Sequence, residues 1–340
     1  MNIHAVVLAA GKGTRMKSSL YKVMHPICGK PMIEHVVETL EPLSLRHLVV
    51  VVGHGAEVVK EQLKNRVQYA YQPEQLGTAH AVWMSHEILG AQDGITIVMN
   101  GDTPLVQEQT LRSLLEYHQL KQAAATVLTS IVDEPTGYGR IIRDENGDVR
   151  KVIEEKDATL GQKKVNEIST GIFCFDNQKL FSMLPMVSNE NAQGEFYLPD
   201  VLGLLQEQGH LVAAFATDDP EEGNGVNDRV QLADLEQLMR KRINDFHMRN
   251  GVTMIDPSST YIDSDVMIGR DTVLYPGTCL FGDTQIGEGC QIGPNAMVKN
   301  KSIEDYTRIQ PFSAVDGSTF GERAFAGVGA KTQQYGIDQH

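Results

Sequence analysis

The chain has 340 residues, of which 41% are apolar and 22% charged, enough for two modest domains with proper cores. Its formal net charge of −14 excludes a general nucleic-acid binder, which needs a basic face to release counterions. No stretch approaches the roughly 18 apolar residues of a membrane span and no signal peptide is read; Cys28, Cys174, Cys279 and Cys290, without a C-x-x-C pair, are expected as buried free thiols in a reducing cytoplasm.

The first predicted strand, AVVLAA at 5–10, runs into Gly11-Lys12-Gly13 and then Thr14, Arg15 and Met16. Two familiar phosphate loops are excluded here. G-x-G-x-x-G lacks its third glycine, and G-x-x-x-x-G-K-[ST] is absent. What remains is a glycine turn whose backbone N–H groups can approach an anion, with an arginine fork placed to meet phosphate oxygens. A tight strand-to-helix turn with a solvent-facing basic pair fits the same residues.

A helical stretch follows at 31–40, then strands at 47–53 and 67–71. QPEQLGTAHA, 72–81, opens the next helix (78–89), and Thr78 is either a plain N-cap or part of a backbone platform for a base. The strand at 95–99 ends in Asn100-Gly101-Asp102. Asp102 is either a hard oxygen ligand for Mg²⁺ or a turn aspartate capping a helix that begins near Pro104 or Val106. A helix is expected at 108–120. This strand–helix alternation up to about residue 217 implies a largely parallel sheet covered on both faces, with ligands at the carboxyl ends of the strands. The loops after residues 10 and 99 are the places to look.

Asn146-Gly147 between two alternating runs predicts a hairpin over 140–155, a flap beside the main sheet. After the polar connection 218–229, a helix is expected at 230–249 with Leu232, Leu235, Leu238, Met239, Ile243 and Phe246 on one face and Gly251 as its stop. Asn227 could offer an amide oxygen to the same metal as Asp102, although the local pattern favours it as the N-cap of that helix. Beyond 260, apolar residues recur every six positions: Ile262, Ile268, Leu274, Leu280, Ile286, Ile292 and Val298. A slip of one follows, then Ile303, Ile309 and Val315. That period points to a parallel β-helix of three hexads per coil. Other catalytic patterns are missing. His86-Glu87 does not extend to H-E-x-x-H, there is no G-x-S-x-G, and no covalent nucleophile stands out.

Taken together, LAAGKGTRM, Lys22 in YKVMH and the Gly101-Asp102 after a buried strand resemble the sugar-1-phosphate nucleotidyltransferases. QPEQLGTAHA, EPTGYGRI (134–141), IEEKDAT (153–159), EISTGIF (167–173), NAQGEFYLPD (191–200) and GVNDR (225–229) are similar to the branch that uridylylates N-acetylglucosamine-1-phosphate. That branch forms the N-terminal half of bifunctional bacterial enzymes. The resemblance covers nearly the whole chain. It implies an α/β fold: a mainly parallel Rossmann-like nucleotidyltransferase domain at 1–229, a linker helix at 230–251, a short left-handed hexapeptide-repeat β-helix at 252–325 and a polar tail at 326–340.

The resemblance further implies that Leu8, Ala9, Ala10 and Gly11 line the uridine nucleotide and that Arg15 and Lys22 neutralise phosphates as the catalytic cations. Gln72, Gly77 and Thr78 read the uracil, and Gly101 belongs to the substrate site. Asp102 and Asn227 hold Mg²⁺, while Gly139, Glu154 and Ser169 face the sugar. The sugar-1-phosphate oxygen attacks the α-phosphate of UTP and pyrophosphate leaves, a reaction of peptidoglycan precursor synthesis in a cytoplasmic homotrimer. Two residues depart from the family pattern. Tyr21 stands where proline precedes the lysine, which removes a backbone preset, and Ser169 stands where asparagine is usual, which leaves the acceptor sugar less firmly specified than the uridine. The segments that carry acetyl transfer in the bifunctional family are not found, so that activity is not expected. Other sugar or nucleotide pairs remain compatible. A catalytically silent scaffolding relative would be expected to lose Arg15, Lys22, Asp102 and Asn227, and all four are present.

Overall fold

The computed structural model describes residues 1–317 and, as backbone, the short strands Phe325–Ala326 and Lys331–Thr332. The rest of the expected polar tail lies outside the described residues. The chain divides into two compact units, one of Met1–His25 with Pro31–Gln231 and one of Pro26–Lys30 with Leu232–His340.

The first unit is built on a nine-stranded sheet. Its centre is formed by the near-continuous apolar runs seen in the sequence. Ile3–Ala9 pairs in parallel with His47–Val52 on one side and Ile95–Asn100 on the other, and His47–Val52 pairs in parallel with Gln68–Tyr71. Such runs lack alternation because both faces are buried. Val50 and Val52 pack in one core with Val36, Val37 and Leu40 of the Met32–Leu40 helix and Leu111, Leu114 and Leu115 of the Glu108–Lys121 helix. Val49 and Val51 point into a second core with Ala79, Val82, Leu180, Val201 and Leu205.

Three strands were not anticipated: Ala125–Ile131, Glu167–Asp176 and Val212–Ala216. Glu167–Asp176 is antiparallel to Ile95–Asn100 and Ala125–Ile131, so it is the one reversed strand in the main path of a sheet that is otherwise parallel, as expected. The expected flap exists as the hairpin Gly139–Arg143 and Val149–Ile153, which pairs antiparallel onto the start of Glu167–Asp176. The chain therefore enters that strand from the flap, at the end where the parallel strands leave, and must run against them. The helix expected over 78–89 is two pieces, Thr78–Trp83 and His86–Leu89.

In the second unit the six-residue period appears as short parallel strands stacked coil on coil. Tyr261 pairs with Cys279 and Cys279 with Met297; Met267 pairs with Gln285, and Val273 with Gln291. Three sheets result, as a β-helix requires. Ile262, Leu274, Leu280, Ile286, Ile292, Val298, Ile303, Ile309 and Val315 fill the interior. The slip after Val298 is absorbed without breaking the stack, since Met297 still pairs with Ala314. The preceding helix, Arg229–Arg249, buries Leu235, Asn244 and His247. Phe246, expected on the apolar face, is 58% exposed. Asn244 is buried because its amide donates to the carbonyls of Pro257 and Thr260, polar contacts that a count of apolar residues cannot see. All four cysteines are free; Cys279 is only half-buried.

Candidate functional site

The register of the parallel strands brings four chain exits to one edge of the sheet. Leu8 lies opposite Asn100, Ala9 opposite Val52 and Val52 opposite Tyr71. The loops that follow, at 10–16, 72–78 and 100–103, border a cleft made of two adjoining cavities of about 370 and about 180 Å³. Leu8, Thr78, Asn100 and Asp102 line both.

The larger cavity is walled by Ala10, Gly11, Lys12, Lys22, Gln72, Gln75, Gly77 and Glu195. Gln72 is buried, with its amide nitrogen 3.2 Å from the Gly77 carbonyl oxygen and 2.9 Å from His80 Nδ1. Gly77 adopts φ +119°, and a Cβ there would lie 2.4 Å from the Phe196 carbonyl oxygen, so only glycine fits. Thr78 does not cap its helix; Gly77 holds the cap position. The Thr78 hydroxyl instead accepts the Leu198 N–H at 2.9 Å, and Phe196 N–H and O bond to Leu76 O and Ala79 N–H. In this way QPEQLGTAHA and NAQGEFYLPD, far apart in sequence, form one wall.

The smaller cavity contains Gly139, Glu154, Ser169 and Asn227. Gly139 sits opposite Ser169 in the pairing of the flap with the main sheet. Ser169 Oγ accepts the Gly171 N–H at 3.3 Å. Burial raises the Glu154 carboxyl above the usual carboxylate range, helped by Asp157, Asp200 and Glu195. Burial likewise raises Tyr138, which lines this cavity and whose hydroxyl donates to Asn224 at 3.4 Å.

At the junction the charged groups converge. Lys22 forms an ion pair with Asp102, and Asn227 Oδ1 accepts from Lys22 Nζ at 3.2 Å and from Arg15 at 2.8 Å. Two backbone features arrange this meeting. The Val226 N–H donates to the Asp102 carbonyl at 3.0 Å, which ties the GVNDR loop to the strand end. Gly13 at φ +60° lets Lys22 pass, since a Cβ there would sit 2.5 Å from Lys22 Cβ. Asn227 is not the N-cap that the local pattern favoured. Asp228 caps the Arg229–Arg249 helix through the Val230 and Gln231 N–H groups, at 2.9 and 3.0 Å. Nor does Asp102 cap a helix, because the next one begins at Glu108.

Two of the expected substrate residues do not line either cavity. Ala9 is buried, and Gly101 is buried with its N–H on the Leu8 carbonyl. Both serve as backbone supports for their neighbours. Sequence reasoning missed Asn100, Tyr138, Thr170, Gln75 and Glu195 on the walls. Asn100 and Tyr138 adjoin residues already singled out, and Glu195 lies inside a quoted motif. Gln75 and Thr170 likewise lie inside quoted motifs, QPEQLGTAHA and EISTGIF.

Among the described residues no group of three or more His, Cys, Asp or Glu is placed to hold a metal. The Asp102 carboxylate and the Asn227 amide oxygen nevertheless converge on one cation, Lys22 Nζ. A hard pair of oxygens that leaves most positions to phosphate and water suits Mg²⁺.

Residues 4–221 match the nucleotidyl transferase family model. The chain is 52% identical over 326 residues to a bifunctional protein GlmU from Halalkalibacterium halodurans, covering 96% of this chain and 71% of that protein. It is 55% identical over 317 residues to one from Bacillus velezensis, covering 93% and 69%. A solved structure from Bacillus anthracis, assigned as a glucose-1-phosphate thymidylyltransferase in complex with a sucrose, superposes with a TM-score of 0.57 at 21% identity, over 69% of this chain and 94% of that one. This last likeness concerns the fold.

Proposed function

The chain belongs to the nucleotidyl transferase family, as a nucleotidyltransferase of the GlmU type, and from that premise we propose that it transfers the uridylyl group of UTP to N-acetylglucosamine-1-phosphate, releasing pyrophosphate. One observation carries the reading: two cavities, of different lining, open onto a shared junction where Asp102, Asn227, Lys22 and Arg15 meet.

The nucleotide takes the cavity walled by Ala10, Gly11, Gln72, Gly77 and Thr78, and the sugar takes that of Gly139, Glu154 and Ser169. The attacking group is a phosphate oxygen, already an anion, so no general base is required. The difficulty lies in aligning two polyanions that repel each other and in spreading the charge of the transition state. Lys22 and Arg15 supply positive charge from the chain itself. Asp102 and Asn227 would hold Mg²⁺, which when bound neutralises phosphate charge and acts as a Lewis acid. No covalent enzyme intermediate is invoked. The reaction is placed in residues 1–229, with 230–251 as a linker helix.

The proposal extends to a cytoplasmic homotrimer built through a left-handed coil at 252–325. One coil face supports assembly: Tyr261, Cys279, Met297 and Ala314 stand in register on it, opposite in phase to the buried Ile262, Leu280, Val298 and Val315. Among the described residues no helix is long and apolar enough to cross a membrane.

Pyrophosphate release should require UTP, the sugar-1-phosphate and Mg²⁺ together, and a panel of nucleotides and sugars fixes the pair. No turnover with any pair would refute the enzymatic reading. A second acceptor is favoured by one observation, that the short Ser169 side chain is already engaged with the Gly171 N–H. Ser169→Asn should raise turnover with N-acetylglucosamine-1-phosphate; unchanged kinetics would show that the sugar does not read this position.

A further inference from the structure

Tyr21 has φ −62°, the value a proline ring would impose, with an extended ψ of 140°. The covalent preset of a proline is absent, as expected, but tertiary contacts hold the same conformation. The Tyr21 hydroxyl donates to the Ala9 carbonyl at 2.6 Å in a buried bond. Its ring lies against the turn after the next strand, where a Cβ on Gly55 would be 3.0 Å from Tyr21 Cδ2. Tyr21 thus touches the exits of two parallel strands while its neighbour, Lys22, reaches Asp102 and Asn227. On its far side Lys22 is pressed against Gly13 of the glycine loop.

We propose that Tyr21 is a positioning residue, which fixes Lys22 and the 9–13 loop relative to each other by joining the lysine's backbone to the Ala9 carbonyl. The hydroxyl suits the task. Burial pushes it up to about 12, so it remains a donor throughout the neutral range. The proposal rests on the uridylyltransferase reading, in which Lys22 meets phosphate. It adds that the lysine's placement depends on one phenolic hydrogen bond where a covalent ring would otherwise set the angle.

The test is a double-mutant cycle on the full chain, with Tyr21→Phe and Lys22→Gln alone and together, read as kcat and KM for UTP alongside thermal melting. Tyr21→Phe should lower kcat/KM by about tenfold, with a fall in melting temperature of about a few degrees from loss of the same buried bond. In the Lys22→Gln background it should cost less than about twofold, because the group it positions is gone. Equal losses in both backgrounds, or no loss in either, would overturn the proposal, since a merely structural tyrosine acts independently of the lysine. Tyr21→Pro against Tyr21→Ala adds a rescue arm, in which the proline ring should restore part of the activity that alanine loses and equal activity of the two would count against the proposal. Failure of the unmodified chain to turn over would instead contradict the uridylyltransferase reading itself.

Discussion

Asn227 and Asp228 are adjacent in sequence and divide two tasks. Asp228 satisfies the first N–H groups of the Arg229–Arg249 helix, and this frees the Asn227 side chain to accept from Arg15 and Lys22. Asp102 faces them with the only carboxylate that bonds directly to Lys22 among the described residues. Asp102→Ala should therefore lower turnover by about 100-fold or more, the scale seen when one preorganised charge-stabilising group is removed. The fold should persist, because the backbone bond from Val226 to the Asp102 carbonyl does not involve the side chain. Circular dichroism and pyrophosphate release check both halves, and full activity would remove Asp102 from the site. Arg15, Lys22, Asp102 and Asn227 were singled out through the family resemblance, because their local patterns also fit an ordinary turn or a helix cap. Thr170 was not, since a buried threonine inside a strand looks like packing until the fold turns it to a cavity.

At the scale of elements, the wall between Gln72 and Thr78 depends on a strand exit and a distant loop fitting without a side chain between them. Gly77→Ala would place a methyl 2.4 Å from the Phe196 carbonyl oxygen and force φ +119° on an L-residue. Stability should fall by about 2 kcal/mol, and KM for UTP should rise more than KM for the sugar-1-phosphate. Thermal melting with the two KM values checks this, and equal changes in both KM values would argue against a nucleotide wall. The apolar central strands, the Asn146-Gly147 hairpin and every coil position from Ile262 to Val315 could be read in the sequence, because periodicity or a turn signal marks each. Ala125–Ile131 and Glu167–Asp176 could not. Both are buried almost throughout and carry threonine and serine, so neither alternation nor an unbroken apolar run betrays them. The antiparallel direction of Glu167–Asp176 depends on where the flap lies, which is a tertiary fact.

For the molecule as a whole, a net charge of −14 makes the few cations at the junction matter more, and it gives the protein a marked response to pH. His4, His25 and His118 in the first unit all titrate below the ordinary 6.5, chiefly through burial, and His118 falls to about 4 while its ring pairs with Thr126 Oγ1 at 2.8 Å. Each is neutral when folded and takes up a proton more readily when unfolded. Their contribution is therefore complete above about pH 6.5 and is lost as pH falls toward 4, with His118 alone accounting for about 2–3 kcal/mol. Denaturant melts from pH 7.5 down to 4.5 should show this decline, and His118→Gln should flatten it. A wild-type profile with no loss over that range would contradict the burial of these rings.

The central claim is that the oxygen of the sugar phosphate attacks the α-phosphate of UTP at the junction of the two cavities. It is tested most directly with a sugar-1-phosphate carrying ¹⁸O in its phosphate, followed by mass spectrometry of both products. The account predicts that all of the label is found in the UDP-sugar and that the pyrophosphate is unlabelled; label in the pyrophosphate, or pyrophosphate formed without any UDP-sugar, would contradict it.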